Sequence, residues 1–227
     1  MIATQIGETA IALSVINSDT AECVRAIRNM YGFLRQQSLN VTIVPGLDSL
    51  LIEFEPDFNP EDLLPLLESL EERPDPTHEN SENRISVETV EVPICYEDQF
   101  APDLAEVSTA LNLTKETVIE LHVSKTYEVW MLGFMPGFPY LGPLDPKLRM
   151  PRKSRPQLSV PKGSVAIAEE YTGIYPFDSP GGWYVIGRTP LSLVDYTKSE
   201  PCLFHYAAKV KFYSISADEF SQLSWNR

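Results

Sequence analysis

The chain is poor in the residues that staple or metallate small proteins. Its 227 residues include three cysteines, Cys23, Cys95 and Cys202, far apart and never in a CxxC pair. This spacing argues against a disulfide framework and a zinc ribbon, and buried thiols are the default. The three histidines, His78, His122 and His205, are equally scattered, with no HExxH motif or other ligand spacing. No metal and no organic cofactor are therefore predicted. Apolar runs long enough to cross a bilayer are missing, as is a basic N-terminus followed by a signal-like apolar core. A cytoplasmic protein without membrane contact is expected. Cations are also scarce: 18 Lys and Arg stand against 32 Asp and Glu, a net charge of −14. Such a surface repels nucleic acid and anionic lipid. Neither a GxxxxGK loop nor a GxSxG elbow occurs, so any ATP is held by something other than a P-loop.

What is present divides into two parts. In the first, Ile11, Leu13 and Val15 alternate like a half-buried strand. Asp19 to Glu22 is close to a capping box, and Val24, Ile27, Tyr31 and Leu34 then recur at helical spacing. Strands are predicted at Val41–Ile43 and Leu50–Phe54, followed by a second helix running to about Leu70 with Asp62 as a candidate cap. The order βαββα predicts a ferredoxin-like α/β domain over residues 1–84, its end (73–84) a polar, proline-containing linker. Residues 85–227 form the second domain. A strand is expected at Val90–Ile94, then short helices over Asp103–Leu111 and from Thr114 to His122. Beyond these, eight of the eleven glycines lie between 133 and 187, and eleven of the nineteen prolines between 136 and 201. Regular helices are nearly excluded there. Short runs at 165–168, 183–186, 191–194 and 210–215 predict a compact β-barrel, and the fold class is α+β.

Three segments carry candidate chemistry. The first is GFMPGFPYLG (133–142), with too much ring surface for an ordinary loop and too much glycine and proline for a helix. The second holds Lys147, Arg149, Arg152, Lys153, Arg155 and Lys162 with no acid between them. A carboxylate or phosphate ligand accounts for such a cluster, and so does pairing with the protein's own acids. The third sets Gly181 and Gly182 beside Trp183, where exposed amides suit an anion or a plain hairpin turn. His122, late in a helical pattern, is either an acid/base group or a structural histidine.

Taken together, GFMPGFPYLGPLD, PR…VPKGSV and TGIYPFDSPGGWYVIGRTP, with the earlier VPICY and LHVSKTYEV, resemble the B-type subunit of 5-oxoprolinase. This family is also called allophanate hydrolase subunit 1 and includes the KipI-type inhibitors of sporulation histidine kinases. It is similar, too, to the carboxyltransferase region of urea carboxylase. The resemblance implies a ferredoxin-like domain joined to a cyclophilin-like barrel. It also implies two partners, a C-type barrel subunit (allophanate hydrolase subunit 2) plus an A-type subunit. The complex would use ATP as co-substrate to open the lactam of 5-oxo-L-proline, giving L-glutamate. On the matching positions it assigns proton transfer to His122 and anion binding to Arg152 and Arg188, with the backbone of Gly181 and Gly182. Arg152 is a catalytic candidate as well. Phe134, Pro136, Gly137, Phe138, Tyr140, Tyr175 and Trp183 would wall a substrate or partner groove. Three departures stand out: Gln157 where the family pattern has a second arginine, Val160-Pro161-Lys162-Gly163 where it has Val-Pro-Ala-Gly, and Tyr206-Ala207-Ala208-Lys209 where it has Ala-Gly-Asp. The alternative implied function is a binding module that holds a segment of a histidine kinase. Prolyl isomerisation is a third option, on fold analogy alone.

Overall fold

The computed structural model describes residues 1–17, 19–37, 39–55, 58–59, 63–71 and 89–225. Its contacts divide into two units, Met1–Val87 and Glu88–Arg227. The predicted linker at 73–84 and the candidate cap Asp62 lie outside the described residues.

In the first unit the alternation at Ile11 and Leu13 becomes strand β2 (Ala10–Ser14). Ahead of it stands β1 (Ile2–Ile6), which the sequence reading missed. All five of its residues are exposed, so burial imposes no pattern on them. Helix α1 (Thr20–Arg35) starts where the Asp19 carboxylate accepts from the Glu22 N–H at 3.0 Å. That bond satisfies one of the orphan donors of the first turn. Strands β3 (Val41–Pro45) and β4 (Ser49–Phe54) and helix α2 (Leu64–Glu71) follow. The sheet order is β1-β2-β4-β3, with every neighbouring pair antiparallel. β2 and β3 therefore run parallel with β4 between them, a split β-α-β. Ile27, Met30, Phe33 and Leu34 of α1 pack with Leu13, Leu50, Ile52, Leu63 and Leu67 in one core.

The second unit opens with β5 (Thr89–Cys95), α3 (Leu104–Ala110) and α4 (Lys115–Ser124). Thr114 caps α4 by accepting from the Thr117 N–H. Then come β6 (Thr126–Leu132), β7 (Pro139–Gly142), a 3₁₀ turn at Pro146–Leu148, β8 (Gln157–Val160), β9 (Ser164–Ala168) and β10 (Tyr171–Ile174). The chain ends with β11 (Ser179–Gly181), β12 (Tyr184–Arg188), β13 (Lys209–Ile215) and helix α5 (Ala217–Trp225). Seven strands close a barrel in the order β10-β7-β6-β13-β5-β12-β9, while β11 and β8 form a separate two-stranded ribbon. The pairing of β13 with β5 is parallel over seven residues, from Lys209↔Thr89 to Ile215↔Cys95. Val92, Ile94, Val129, Leu141, Val165, Ile167, Ile186, Val210 and Phe212 fill one core together with Leu104, Val107 and Val118 of the helices.

One expectation is corrected here. The run Leu191–Val194 is not a strand; only an isolated bridge joins Val194 to Cys202. Proline at 190 and 201 brackets the segment and removes two ladder donors. Helix α5 was not foreseen, although Ser216 and Glu219 form a capping box: Ser216 N–H donates to Glu219 Oε2 at 2.8 Å and Glu219 N–H to Ser216 Oγ at 3.2 Å. All three cysteines are free, Cys23 and Cys95 buried. Among the described residues no helix is long and apolar enough to cross a membrane.

Ile94 is wholly buried in the barrel and Ile16 is 78% exposed in the first unit. Ile94→Ala is expected to destabilise by about 2–5 kcal/mol, and Ile16→Ala by less than about 0.5 kcal/mol. Urea denaturation midpoints for the two variants check the contrast.

Candidate functional site

Residues 133–138 join β6 to β7, and residues 139–142 are β7 itself. Gly133 N–H donates to the Phe138 carbonyl at 3.2 Å, and Phe138 N–H to the Met135 carbonyl at 3.1 Å. Gly137 has φ +78°, and a Cβ there would lie 2.3 Å from the Val194 side chain. Only glycine meets both demands. The loop drives Phe138 inward to 2% exposure and leaves Phe134 61% exposed. Phe134 itself has φ +67°, an outlier for a bulky residue.

Phe138 sits at the centre of a ring cluster. Its centroid lies 5.2 Å from Tyr140 and Tyr175 and 5.5 Å from Phe134 and Trp183, all edge-on. This is the geometry that ring quadrupoles favour. Gly173 of β10 lets the ring approach: a Cβ there would stand 2.8 Å from Phe138 Cζ. The expected groove is thus a packed aromatic floor. Phe138, Tyr175 and Trp183 are buried, Gly137 is buried against Val194, and the accessible parts are Phe134, Pro136 and the half-buried Tyr140.

The basic segment resolves largely into pairs with the protein's own acids. Arg149 reaches Glu170 at 3.6 Å, Arg152 Nε reaches Glu169 at 3.1 Å, and Lys153 Nζ donates to Asp103 at 2.6 Å. Glu169 and Glu170 are the two turn residues between β9 and β10, and Glu169 has φ +55° where such a turn prefers glycine or asparagine. A shallow cavity of about 410 Å³ lies against Arg149, Met150, Pro151 and these two acids. Arg152 and Glu169 also act on the rings. Burial pushes the Tyr140 hydroxyl pKa up, Arg152 pulls it down and Glu169 raises it. The Tyr175 hydroxyl is pushed up to about 12, mainly by burial, against a hydrogen bond from the Trp183 backbone and the charge of Arg152. The arginine and the aromatic floor therefore belong to one locality.

Asp103 is the acid that sequence reading overlooked. Its carboxylate accepts from Lys153, from Gln157 Nε2 to both oxygens at 3.3 Å, and from the Val185 N–H at 2.7 Å. Gln157, where the resemblance implies an arginine, is thus engaged inside the protein. Gln157 and Lys153 together supply the hydrogen bonds and the charge on one buried carboxylate.

The other sequence assignments are redistributed. Arg188 donates Nε–H to the Lys162 carbonyl at 2.9 Å. It pairs with Ser164 at the start of β9, whereas Arg152 holds Glu169 just past its end. Five residues of strand, roughly 17 Å, separate those two ends, so Arg152 and Arg188 do not form one anion site. Gly181 serves close approach: a Cβ there would stand 2.3 Å from the Tyr175 hydroxyl. The Gly182 carbonyl accepts from the Lys153 N–H at 2.8 Å. Both glycines are used in packing the basic segment onto the barrel, which is a different use from cradling an anion.

His122 is fully buried in the core rather than in the ring-lined locality. It stacks on Phe212 at 4.8 Å and 12°. Its Nδ1 lies 2.7 Å from Tyr96 Oη and its Nε2 2.9 Å from Thr172 Oγ1. Thr172 uses its one proton on the Ala166 carbonyl at 3.1 Å, so it accepts from Nε2–H, and Nδ1 accepts from Tyr96. Burial lowers the His122 pKa to about 3. In this geometry the imidazole ties α4 to Tyr96 and to Thr172 of β10 as a neutral group. What hid this was the tertiary position of Thr172, fifty residues away.

Residues 1–204 match the carboxyltransferase domain, subdomain C and D, and the chain belongs to that family. Among curated relatives, the B-type 5-oxoprolinase subunit of Escherichia coli O157:H7 is 38% identical over 207 residues, covering 91% of this chain and 93% of that protein. The B-type 5-oxoprolinase subunit of Haemophilus influenzae is 35% identical over 212 residues, covering 91% and 94%. Among solved structures, TTHA0988 superposes with a TM-score of 0.72 at 32% identity, over 92% of this chain and 40% of its own. This chain thus spans well under half of that protein. The Kluyveromyces lactis urea amidolyase, at 23% identity and TM-score 0.68 over 97% of this chain and 15% of its own, shares the fold.

The unfolded chain binds a proton at His122 below about pH 6.5, and the folded chain does not until about pH 3. The stability contributed by the neutral imidazole is complete above pH 6.5. It is lost as pH falls towards 3, by up to about 1.4 kcal/mol per pH unit. Urea midpoints from pH 7 to 4 are expected to fall more steeply for the parent than for His122→Gln. A second expected outcome concerns Gly173→Ala, which forces a methyl group into Phe138 and is expected to cost about 1–3 kcal/mol, measured by thermal unfolding.

Proposed function

We propose that the chain is the B-type subunit of an ATP-dependent 5-oxoprolinase, which opens 5-oxo-L-proline to L-glutamate together with C-type barrel and A-type subunits. The observation that carries this reading is the near full-length match to the B-type 5-oxoprolinase subunit of Escherichia coli O157:H7. The locality around Arg152 supports it. In this reading residues 1–84 are a ferredoxin-like domain, with β1 taking the edge next to β2 that a strand after α2 would otherwise hold. Residues 85–227 are a cyclophilin-like barrel, and the protein works in the cytoplasm.

In this reading the triphosphate of ATP is not held by a P-loop of this chain. Arg149, Arg152 and Lys153 are each engaged by an acid of the same chain, and the sequence has no P-loop. Nucleotide binding is therefore assigned to a partner in the complex, and no step is routed through ATP here. This chain's part is recognition. Arg152, 54% exposed, keeps guanidinium donors beyond the two bonded to Glu169, and it takes the carboxylate of 5-oxo-L-proline. Phe134 and the edge of Tyr140 contact the apolar face of the lactam ring. Glu169 aims the guanidinium. His122 holds β10 behind the aromatic floor.

Reconstitution of the chain with the C-type and A-type subunits, ATP and 5-oxo-L-proline tests the reading through glutamate release. Loss of a charge-assisted contact of about 1.5–3 kcal/mol predicts that Arg152→Ala raises KM about 10- to 100-fold with little change in thermal stability. An intact parent complex with no glutamate release at all would remove the enzyme reading.

A further inference from the structure

Aspartate is favoured just ahead of a helix because its carboxylate can accept from an amide of the first turn. Asp103 stands at that position before α3, yet its side chain makes no capping bond. The carboxylate is turned towards the basic segment instead. It accepts from Lys153 Nζ at 2.6 Å and from Gln157 Nε2 at 3.3 Å. On its other side it accepts from the Val185 N–H at 2.7 Å, while Asp103 N–H donates to the Val185 carbonyl at 3.0 Å. Asp103 is buried, so the direction of its carboxylate is set by these partners and not by solvent. A local preference for capping has given way to bonds with residues 50, 54 and 82 positions away.

What these bonds hold is the run 151–156, which has no helix or strand of its own. Pro151 and Pro156 remove two amide donors from it. The run is fastened on both sides of Arg152. Before it, Glu169 N–H donates to the Met150 carbonyl at 2.5 Å. After it, Lys153 N–H donates to the Gly182 carbonyl at 2.8 Å, and the Lys153 ammonium lies on Asp103 and 5.2 Å from the centre of the Tyr184 ring. Gln157 ties the start of β8 to the same carboxylate. Among the described residues the Arg152 side chain bonds Glu169 alone, and both partners of that pair are about half exposed. Solvent screens such a pair, so the placement of Arg152 depends on how its neighbours are held.

We propose that Asp103 is a positioning residue for substrate binding: by holding Lys153 and Gln157 it sets where Arg152 presents its guanidinium to the carboxylate of the lactam. A guanidinium meets a carboxylate through a planar, directional fork. A side chain on a held segment loses less freedom on binding than one on a loose segment. Release of Lys153 shifts the backbone next to Arg152 and weakens substrate binding without touching the reacting amide. The inference rests on the reading of Arg152 as the group that takes the carboxylate of 5-oxo-L-proline.

Glutamate release by the reconstituted complex is measured against 5-oxo-L-proline concentration in a double-mutant cycle. Asp103→Asn is expected to raise KM about 10-fold, a loss of about 1.4 kcal/mol, and to change KM more than kcat. In the Arg152→Ala background the same substitution is expected to change KM by less than about 2-fold, because the residue it acts through is gone. Asp103→Asn leaves the Lys153 charge unpaired and is the variant at risk of not folding. Gln157→Met removes one donor and keeps both charges; run through the same cycle, it is expected to raise KM at a parent-like thermal midpoint, again only where Arg152 is present. An equal fold-change with and without Arg152, or parent-like KM for Gln157→Met, would reduce Asp103 to a clamp of the fold and leave the proposed function standing. No glutamate release by the parent complex, or parent-like KM for Arg152→Ala, would instead remove the reading of Arg152, and this inference with it.

Discussion

One uncharged imidazole organises the barrel. His122 rises from α4 and touches four separate pieces of chain: Tyr96 just after β5, Thr172 on β10, Phe212 on β13 and Tyr127 on β6. Each ring nitrogen has one partner, and the bond from Thr172 to Ala166 fixes which nitrogen carries the proton. A buried polar group left unpaired costs more than the bond itself contributes. The cluster therefore tolerates only one arrangement of these strands. Thr172 in turn precedes Gly173, the residue that admits the Phe138 ring. The position of the aromatic floor is set from behind, by a group that never meets solvent.

The charged half of the site follows a different rule. Lys153 is deeply placed and its partner Asp103 more so, at 12% and 8% side-chain exposure. A buried ion pair at these depths survives only when the remaining lone pairs are satisfied, and Gln157 and the Val185 amide do so. Arg152 and Glu169 are about half exposed; solvent screens their attraction and the pair contributes little to stability. The two pairs lie on one short segment with opposite character. One clamps the segment to β12, and the other presents a guanidinium that remains accessible. A run of basic residues with no acid in sequence is thus neither a free anion cradle nor a plain solvated loop.

How far the sequence was legible differs by element. The strand at Ala10–Ser14, the Asp19 cap and the Thr114 cap were readable because their signals are local: period-two burial, or an oxygen within three residues of the amide it serves. Strand β1 was not, because an edge strand exposed on every residue carries no burial pattern. The site was half legible. Its ring types and its arginine stood out by composition, but Asp103, Glu169 and Thr172 did not, since their partners lie 17 to 82 residues away. The separation of Arg152 from Arg188 was hidden for the same reason. Both flank one strand in sequence order, and only the β9–β12 register puts them at its opposite ends.

By itself the sequence determined the two-part composition, the caps, the strand-forming runs and the glycines and prolines that bend GFMPGFPYLG. These depend on backbone sterics and short-range periodicity, which act within a few residues. Closure of the barrel, the tautomer of His122, and the engagement of Lys153 and Gln157 by one carboxylate were decided only by tertiary structure. So was the division of that loop into a buried Phe138 and an exposed Phe134. Each requires groups distant in sequence to meet at van der Waals or hydrogen-bond distance. No local pattern encodes which of several chemically equivalent partners will be brought there.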